Sequence, residues 1–267
     1  MLKIIFSPMK WNAKLKKSLE AFRKITKNKN AQGYSMSTPS GFACSGVARD
    51  CLTFANRTTG KLHRGLHTQF NCFSSVTESY APQVRKQRWE TYDSLRAIYN
   101  YEGSDYIDMA SLINEWLPSD ADLNRIHVAG EFSSDSFGDM YFSSWLEVAR
   151  NESNKHFYFY TKNIPAIIKN RNNIPSNLSI TASLGGMFDA MVFEHKLKYS
   201  KVIFHPSDPG ASERPTDHDD TLAMFGDIFD ASQSFNLLLH ATQPKGSEAS
   251  KAIQRLKREQ IRFSYSS

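Results

Sequence analysis

The chain has 267 residues, of which 40% are hydrophobic and 22% are charged, and its formal net charge is +6 at pH 7. This length suits one large domain, because open α/β sheets and barrels commonly use about 200 to 250 residues as a single unit. No apolar stretch approaches the roughly 18 to 20 residues of a membrane span, and the apolar run at residues 1–6 is too short for a secretory signal, so we expect a soluble, intracellular protein.

The first thirty residues form a strongly basic segment. They carry nine lysine and arginine side chains against one acidic side chain, Glu20, with Trp11 and Phe22 between them. Such a segment can contact the phosphates of nucleic acid, although basic runs are more often the solvated face of a helix. We therefore predict an N-terminal basic helical arm over residues 1–30 and a single α/β domain over residues 31–267.

The only three cysteines lie in one polar region that follows the first predicted strand, residues 34–38. Cys44, Cys51 and Cys72 have neighbours typical of loops rather than of a periodic apolar face. Three thiolates are soft ligands and can hold three irons of a [4Fe-4S] cluster while the fourth iron stays open for chemistry. The sequence therefore predicts a metal site with these three cysteines as ligands.

Three alternatives for the cysteines remain open at this point. Free cysteines are often small core residues, and two of the three could form a disulfide in an oxidising compartment. Zinc is the stronger rival, because His63 or His67 could complete a Cys3His site. The six and twenty residues that separate the cysteines match no standard zinc-finger spacing.

Beyond the cysteines, β-rich runs alternate with amphipathic stretches, which is typical of a parallel sheet with crossover helices. The predicted strands cover residues 34–38, 125–130, 157–161, 178–183, 201–205 and 236–241. The predicted helices cover residues 78–99, 106–117, 136–150, 164–170, 188–197, 219–231 and 247–260.

Polar side chains recur at the ends of the predicted strands. The carboxyl ends of barrel strands share one rim, where enzymes of this architecture place their catalytic groups. We expect these side chains to converge there with the cysteine loop. They are Glu131, Lys162, Ser183, His205, His240 and Gln243.

Two further motifs have both a functional and a structural interpretation. Residues 217–220 read Asp-His-Asp-Asp, which can bind a divalent cation, or can start a helix with Asp219 or Asp220 as its cap. Gly185 and Gly186 allow close approach of a nucleotide or sugar, but such a pair more often marks a turn.

The cysteine loop and the pair Gly130-Glu131 resemble parts of the radical-SAM enzymes. In that family a three-cysteine loop follows strand one, and a Gly-Glu pair ending strand two contacts the amino group of S-adenosylmethionine (SAM). Family members usually carry a compact Cys-x3-Cys-x2-Cys loop, whereas the cysteines here are much further apart. The resemblance implies a partial TIM-like (β/α)6 barrel, a [4Fe-4S] cluster, and SAM chelated to the open iron through its amine and carboxylate.

The chain also resembles a family of tailed-phage gene products of the marine and cyanophage type. The segments that carry this resemblance are residues 125–134, 144–146, 157–162, 215–220 and 239–246. It implies an early cysteine iron-sulfur site on a barrel-like α/β fold in the cytoplasm of an infected bacterium. It implies no established reaction.

Two functions follow as hypotheses. In the first, the cysteines hold the cluster, and Gly130, Glu131, Lys162 and Ser183 bind SAM or another small molecule at the open iron. In the second, a cluster or zinc is only a structural or redox staple, and basic surfaces bind nucleic acid or a host protein. Those surfaces are the N-terminal arm and Lys251, Arg255, Lys257 and Arg258 near the C-terminus.

Overall fold

The computed structural model describes residues 1–261 as a mixed α/β fold. The strands are β1 (Phe6–Pro8), β2 (Gln32–Met36), β3 (Thr53–Ala55), β4 (Leu62–Arg64), β5 (Ala121–Ile126), β6 (His156–Thr161), β7 (Leu178–Ser183), β8 (Tyr199–Ile203) and β9 (Phe235–Leu238). The helices are α1 (Ala13–Thr26), α2 (Phe73–Tyr80), α3 (Pro82–Tyr99), α4 (Tyr106–Trp116), α5 (Ser136–Asn151), α6 (Ile164–Lys169), α7 (Asp189–Glu194), α8 (Thr221–Met224) and α9 (Glu248–Arg258).

Seven strands form one mostly parallel sheet in the order β1-β2-β5-β6-β7-β8-β9. Only the edge strand β1 runs antiparallel to its neighbour, and the other six are parallel and adjacent in chain order. Their carboxyl ends therefore lie at one edge of the sheet. Among the described strands, β9 does not pair with β1 or β2, so hydrogen bonding does not close the sheet into a barrel. The remaining strands, β3 and β4, form a separate hairpin between the second and third cysteines.

All six predicted strands are present, with boundaries displaced by at most four residues. The largest displacement is at β5, which was predicted to continue to residue 130 but ends at Ile126. The next residue, His127, has a φ of 59°, which takes the backbone out of the extended conformation. Residues 127–131 are therefore a loop at the end of the strand.

Two helix predictions require correction. Residues 78–99 are not one helix, because α2 ends at Tyr80 and α3 begins at Pro82. Proline suits the first position of a helix, since the N–H that it lacks would have no hydrogen-bond partner within the helix there. The helix predicted over 219–231 is wrong in length, since α8 spans only four residues. Gly226 follows it with a φ of 105°, which no right-handed helix can include.

The two largest of three hydrophobic clusters lie against the sheet. The larger contains side chains of α4 and α5, including Trp145, packed with Phe157 and Phe159 of β6. The smaller contains the apolar face of α1, with Leu15 and Leu19 packed with other strand and helix residues. The basic segment therefore packs on the sheet through α1 and exposes charged residues of its opposite face.

No helix in the described part of the chain is both long enough and apolar enough to cross a membrane.

Candidate functional site

A cavity of about 180 Å³ lies at the carboxyl ends of the parallel strands. Its wall contains residues from, or following, the strands β2, β5, β6, β7, β8 and β9. The predicted metal ligands and the predicted cofactor-binding residues lie in this wall: Cys44, Cys51, Cys72, Gly130, Glu131, Lys162 and Ser183. The fold thus brings together three cysteines and four strand-end residues that are far apart in the chain.

Backbone hydrogen bonds fix the loop that carries Cys44. The N–H of Gly41 donates to Cys44 Sγ at 3.2 Å, and the carbonyl of Cys44 accepts the N–H of Ala48 at 3.1 Å. Further along, the N–H groups of Arg49 and Asp50 donate to the carbonyl of Gly185 at 3.1 and 3.0 Å. These contacts attach the loop after β2 to the turn after β7.

The glycine pair after β7 serves this turn. The N–H groups of Gly185 and Gly186 donate to the carboxylate of Asp189 at 3.0 and 2.9 Å. Gly186 also forms an isolated β-bridge with Ala48 in the cysteine loop. The structural interpretation of the pair, a turn, is therefore confirmed.

Cys72 is brought to the cavity by the chain segment just before α2. The carbonyl of Asp50, next to Cys51, accepts the N–H of Gln69 at 2.7 Å and that of Phe70 at 3.2 Å. Asn71 is held by the buried Gln243, whose Oε1 accepts the N–H of Asn71 at 2.8 Å. Gln243 therefore supports the cysteine loop rather than facing a ligand.

The three cysteines are free thiols, each half-buried. Desolvation raises the pKa of Cys44 well above its usual value, and the charge of Glu131 raises that pKa further. Desolvation also raises the pKa of Cys51, to about 11, although the ammonium group of Lys162 opposes the shift. These two thiols are protonated near neutral pH, and a metal that binds them must displace the protons.

We expect Cys51 to alkylate slowly in the folded chain. With a pKa of about 11, about one thiol in a thousand is ionised at pH 8, against about a quarter of unfolded cysteines. Iodoacetamide labelling of the Cys51 peptide, followed by mass spectrometry, should be at least about 50-fold slower in the folded chain than in urea. The rate should rise as the pH approaches 11. Equal rates in the folded and unfolded chains at pH 8 would contradict this expectation.

The zinc alternative has no support in the described part of the chain. His63 is exposed and stacks on Phe54 with 5.2 Å between ring centroids, and neither His63 nor His67 lines the cavity. Within residues 1–261, no three His, Cys, Asp or Glu side chains are grouped so that they could hold one metal ion. The described residues therefore show no preformed metal site, either for zinc or for iron.

Gly130 and Glu131 form the wall at the end of β5. Gly130 has a φ of 84°, and a Cβ there would lie 1.9 Å from Thr38 Oγ1, so only glycine fits. The buried Glu131 carboxylate accepts hydrogen bonds from Thr161 Oγ1 at 2.7 Å and from Lys162 N at 2.8 Å. Desolvation raises the pKa of Glu131, while these hydrogen bonds oppose the shift.

Lys162 and Ser183 contact each other across the ends of β6 and β7. Lys162 Nζ donates to Ser183 Oγ at 2.6 Å and to the carbonyl of Leu184 at 3.2 Å. The ammonium group is therefore held in place, and it lies near enough to Cys51 and Glu131 to affect the pKa of both. It supplies a fixed positive charge beside the thiols.

The two predicted strand-end histidines have different positions. His240 lines the cavity, with its ring centroid 4.9 Å from that of Phe73, and desolvation lowers its pKa to about 4. His205 does not line the cavity. Its ring nitrogens contact Ser207 Oγ at 2.7 Å and Glu259 at 2.8 Å, which attaches α9 to the end of β8.

A second group of charged residues lines the cavity and was not expected from the sequence. Lys14 of α1 and Arg125 of β5 both lie in the wall. Behind them is the buried carboxylate of Asp220, which pairs with Arg125 and with Lys14 Nζ at 2.9 Å. Desolvation alone would raise the pKa of Asp220, but the charges of Arg125 and Lys14 outweigh it and hold that pKa well below its usual value. Asp220 is thus the shared counter-ion of two cations.

Residues 217–220 are a helix start, and their interpretation as a cation site is wrong. Asp219 accepts the N–H of Thr221 at 3.1 Å, and Asp217 accepts that of Leu222 at 3.1 Å. Asp220 makes no capping hydrogen bond, because its φ of 62° belongs to a turn and its carboxylate pairs with the two cations. A carboxylate at the start of this helix was therefore correctly predicted, but the pairing of Asp220 with Lys14 and Arg125 was not.

Comparison with known proteins shows a family to which the chain is similar. A family model described as Gene product 88 matches residues 9–258. Searches of curated proteins and of solved structures found no match.

Proposed function

The chain belongs to the Gene product 88 family, a phage gene-product family, and we propose that it is an iron-sulfur protein in which Cys44, Cys51 and Cys72 hold a [4Fe-4S] cluster. The membership expected from the phage-like segments is confirmed at this level. The cluster, the ligand and the reaction are our proposal.

One observation carries the proposal: three free thiols from separate parts of a long loop line the same cavity. Their surroundings fit a cluster. The N–H of Gly41 donates to Cys44 Sγ, and the ammonium group of Lys162 lies near Cys51, so both a hydrogen bond and a positive charge are available to stabilise thiolates.

The sheet supports the comparison with radical-SAM enzymes. Its six parallel strands follow one another in chain order, and the cysteine loop follows the first of them. A partial (β/α)6 barrel would have this strand order. We propose that the sheet is a divergent form of that architecture, with the wide cysteine spacing accommodated by the β3–β4 hairpin.

A cluster held by three thiolates has one iron that can bind a ligand or pass an electron to it. Beside it, Glu131 would receive a ligand amino group. Its carboxylate accepts hydrogen bonds from Thr161 Oγ1, Phe132 N and Lys162 N, which is three of about four acceptor positions. One position would remain for an ammonium donor such as that of SAM.

The test is anaerobic purification with iron and acid-labile sulfide analysis, followed by EPR spectroscopy of the reduced protein with and without SAM. About four irons and four sulfides per chain, with an EPR signal that SAM changes, is the expected result. A cluster whose signal ignores SAM would refute SAM as the ligand. Zinc without sulfide would refute the iron-sulfur assignment.

Replacing Glu131 by glutamine should weaken SAM binding while the cluster stays. The substitution removes the negative charge but keeps the shape, and we expect the apparent affinity for SAM to fall about tenfold or more, since a hydrogen bond to a charged group is lost. EPR titration with SAM measures the affinity, and iron analysis checks the cluster. The control is Glu115→Gln, an exposed residue of α4 outside the cavity, which should bind SAM as the native chain does. Unchanged affinity in Glu131→Gln would remove Glu131 from the ligand site.

A further inference from the structure

A second cavity, of about 310 Å³, lies where the start of α1 meets α3 and the antiparallel edge of the sheet. Its wall is formed by residues in or beside β1, β2, α1 and α3, and no cysteine is among the described residues of that wall. This volume falls within the range of about 300–1,000 Å³ that is usual for small-molecule sites. The cavity is therefore separate from the proposed cluster site and large enough for a ligand.

The wall of this second cavity offers hydrogen-bonding groups and no net charge. Arg88 is the only charged side chain among the described lining residues, and it pairs with the buried Glu78 at 2.6 Å. Asn12 Oδ1 accepts two N–H groups of α1 at 3.0 and 3.3 Å, which leaves the NH2 group of Asn12 as a donor. The side-chain amide of Gln87 makes no hydrogen bond within residues 1–261. The wall therefore suits an uncharged ring with polar edges.

Trp11 also lines this cavity, although the residue is 76% exposed. A single exposed aromatic side chain on a surface needs no explanation. Here, however, the indole ring lies beside hydrogen-bonding groups that can contact the edge of a ligand. An indole face is also a platform on which a planar base can stack. A nucleobase has both features, a flat face and polar edges, and so matches Trp11 and the wall together.

Exposed lysines continue from this cavity along the surface of α1. Asn12, in the cavity wall, is followed on the same side of the helix by Lys16 and, two turns later, by Lys24, because positions four residues apart lie one turn apart. The helix has 14 residues and is therefore about 21 Å long, which is enough to contact several phosphates of a strand. Further exposed lysines lie just before and just after the helix: Lys10, Lys27 and Lys29.

These five exposed lysines outnumber the carboxylates around them. Lys16 lies 4.0 Å from Glu20, and it is the only one of the five that pairs with a carboxylate within residues 1–261. Two other carboxylates lie near the far end of the segment, where Asp122 accepts a hydrogen bond from Asn28 and Asp120 accepts one from Tyr34. The surface beside the cavity is therefore positively charged, as a surface that contacts phosphates must be.

We propose that this surface binds single-stranded nucleic acid, with one base against Trp11 in the cavity and the neighbouring phosphates along the exposed lysines of α1. The strand is single because the faces of paired bases are stacked on one another within a duplex and are not available to the indole ring. An uncharged ligand such as a saccharide would leave the lysines unused. The proposal goes beyond the proposed function and does not require the cluster.

The first experiment separates the bases from the phosphates by fluorescence anisotropy on the full chain. The labelled probes are a mixed-sequence DNA strand of about 15 nucleotides, an abasic strand of the same length, and the matching duplex. We expect the base-bearing strand to bind about tenfold or more tightly than the abasic strand, which has the same phosphates but nothing to stack on Trp11. Equal binding of these two strands, tighter binding of the duplex, or no binding of any probe would overturn the proposal.

The second experiment uses the variant Trp11→Ala. The affinity for the base-bearing strand should fall about tenfold, while the affinity for the abasic strand should stay the same. Because Trp11 is exposed, the variant should fold as the native chain does, and circular dichroism checks this. The matched control is Tyr101→Ala, which removes an aromatic residue that is 73% exposed and does not line the cavity. Equal losses in the two variants, or equal losses for the two strands, would contradict a base site at Trp11.

The third experiment tests the lysines through the salt dependence of binding. The double variant Lys10→Met/Lys24→Met should bind both single strands more weakly, and the slope of log affinity against log salt concentration should become shallower by about one or more. The control is Lys61→Met/Lys201→Met, which removes two exposed lysines outside the basic segment and should keep the native slope. An unchanged slope in Lys10→Met/Lys24→Met, or the same change in both double variants, would show that the phosphates do not lie along α1.

Discussion

If the three cysteines hold a [4Fe-4S] cluster as proposed, replacing Cys51 by alanine should reduce the iron of the anaerobically reconstituted protein from about four atoms per chain to less than one. The two remaining thiols would bind only two irons of the cluster. Desolvation also favours the protonated form of Cys44, so a metal that binds this thiol must displace its proton. Iron and sulfide analysis, with the visible absorption band of the cluster, measures the effect.

The matched control for Cys51→Ala is Ser45→Ala, in the same loop. Ser45 is exposed and does not line the cavity, so the control should retain the native iron content. Cys44→Ala and Cys72→Ala should behave as Cys51→Ala does, because each cysteine would hold a different iron. A full cluster in any one of the three variants would show that the missing thiol is not a ligand.

The parallel sheet could be predicted because each of its strands is a local pattern. Phe157 and Phe159, for example, are buried residues of β6, which is a β-rich run between polar turns. Such a run can be recognised in the sequence without knowing which strand lies beside it. The cavity residues Glu131, Lys162 and Ser183 were found for the same reason, since they stand where such runs end. Adjacent parallel strands then place them together.

The cationic part of the wall could not be predicted, because it depends on contacts between distant parts of the chain. Arg125 and Asp220 are 95 positions apart and pair in the folded chain. Lys14 looked like one of many lysines in a basic segment, and only the packing of α1 turns it inward while Lys16 stays exposed. A carboxylate in a helix-start pattern has the same local sequence whether it caps the helix or serves as a counter-ion.

The fold should depend strongly on Asp220. Asp220→Asn should lower the free energy of unfolding by about 3–5 kcal/mol, because it removes the buried carboxylate that pairs with both Lys14 and Arg125. Asparagine is the appropriate substitute, since it tolerates the left-handed φ of 62° at this position and retains a hydrogen-bonding side chain. Urea denaturation at pH 7 measures the loss. The control, Asp93→Asn, breaks the exposed Arg57–Asp93 ion pair and should cost less than about 1 kcal/mol.

The pH dependence of the free energy of unfolding distinguishes the effect of the charge of Asp220 from the effect of its side-chain shape. The pKa of Asp220 is lower in the folded chain than in the unfolded chain, so its charge stabilises the fold above the unfolded pKa of about 3.9. That contribution is lost as the pH falls towards the folded pKa. The difference between the native chain and Asp220→Asn should therefore be smaller in strong acid than at pH 7. The double variant Lys14→Met/Asp220→Asn should be more stable than Asp220→Asn alone, since it removes one of the two cations with which Asp220 pairs. A difference that does not change with pH, and no recovery in the double variant, would mean that Asp220 acts through the geometry of its turn rather than as a counter-ion.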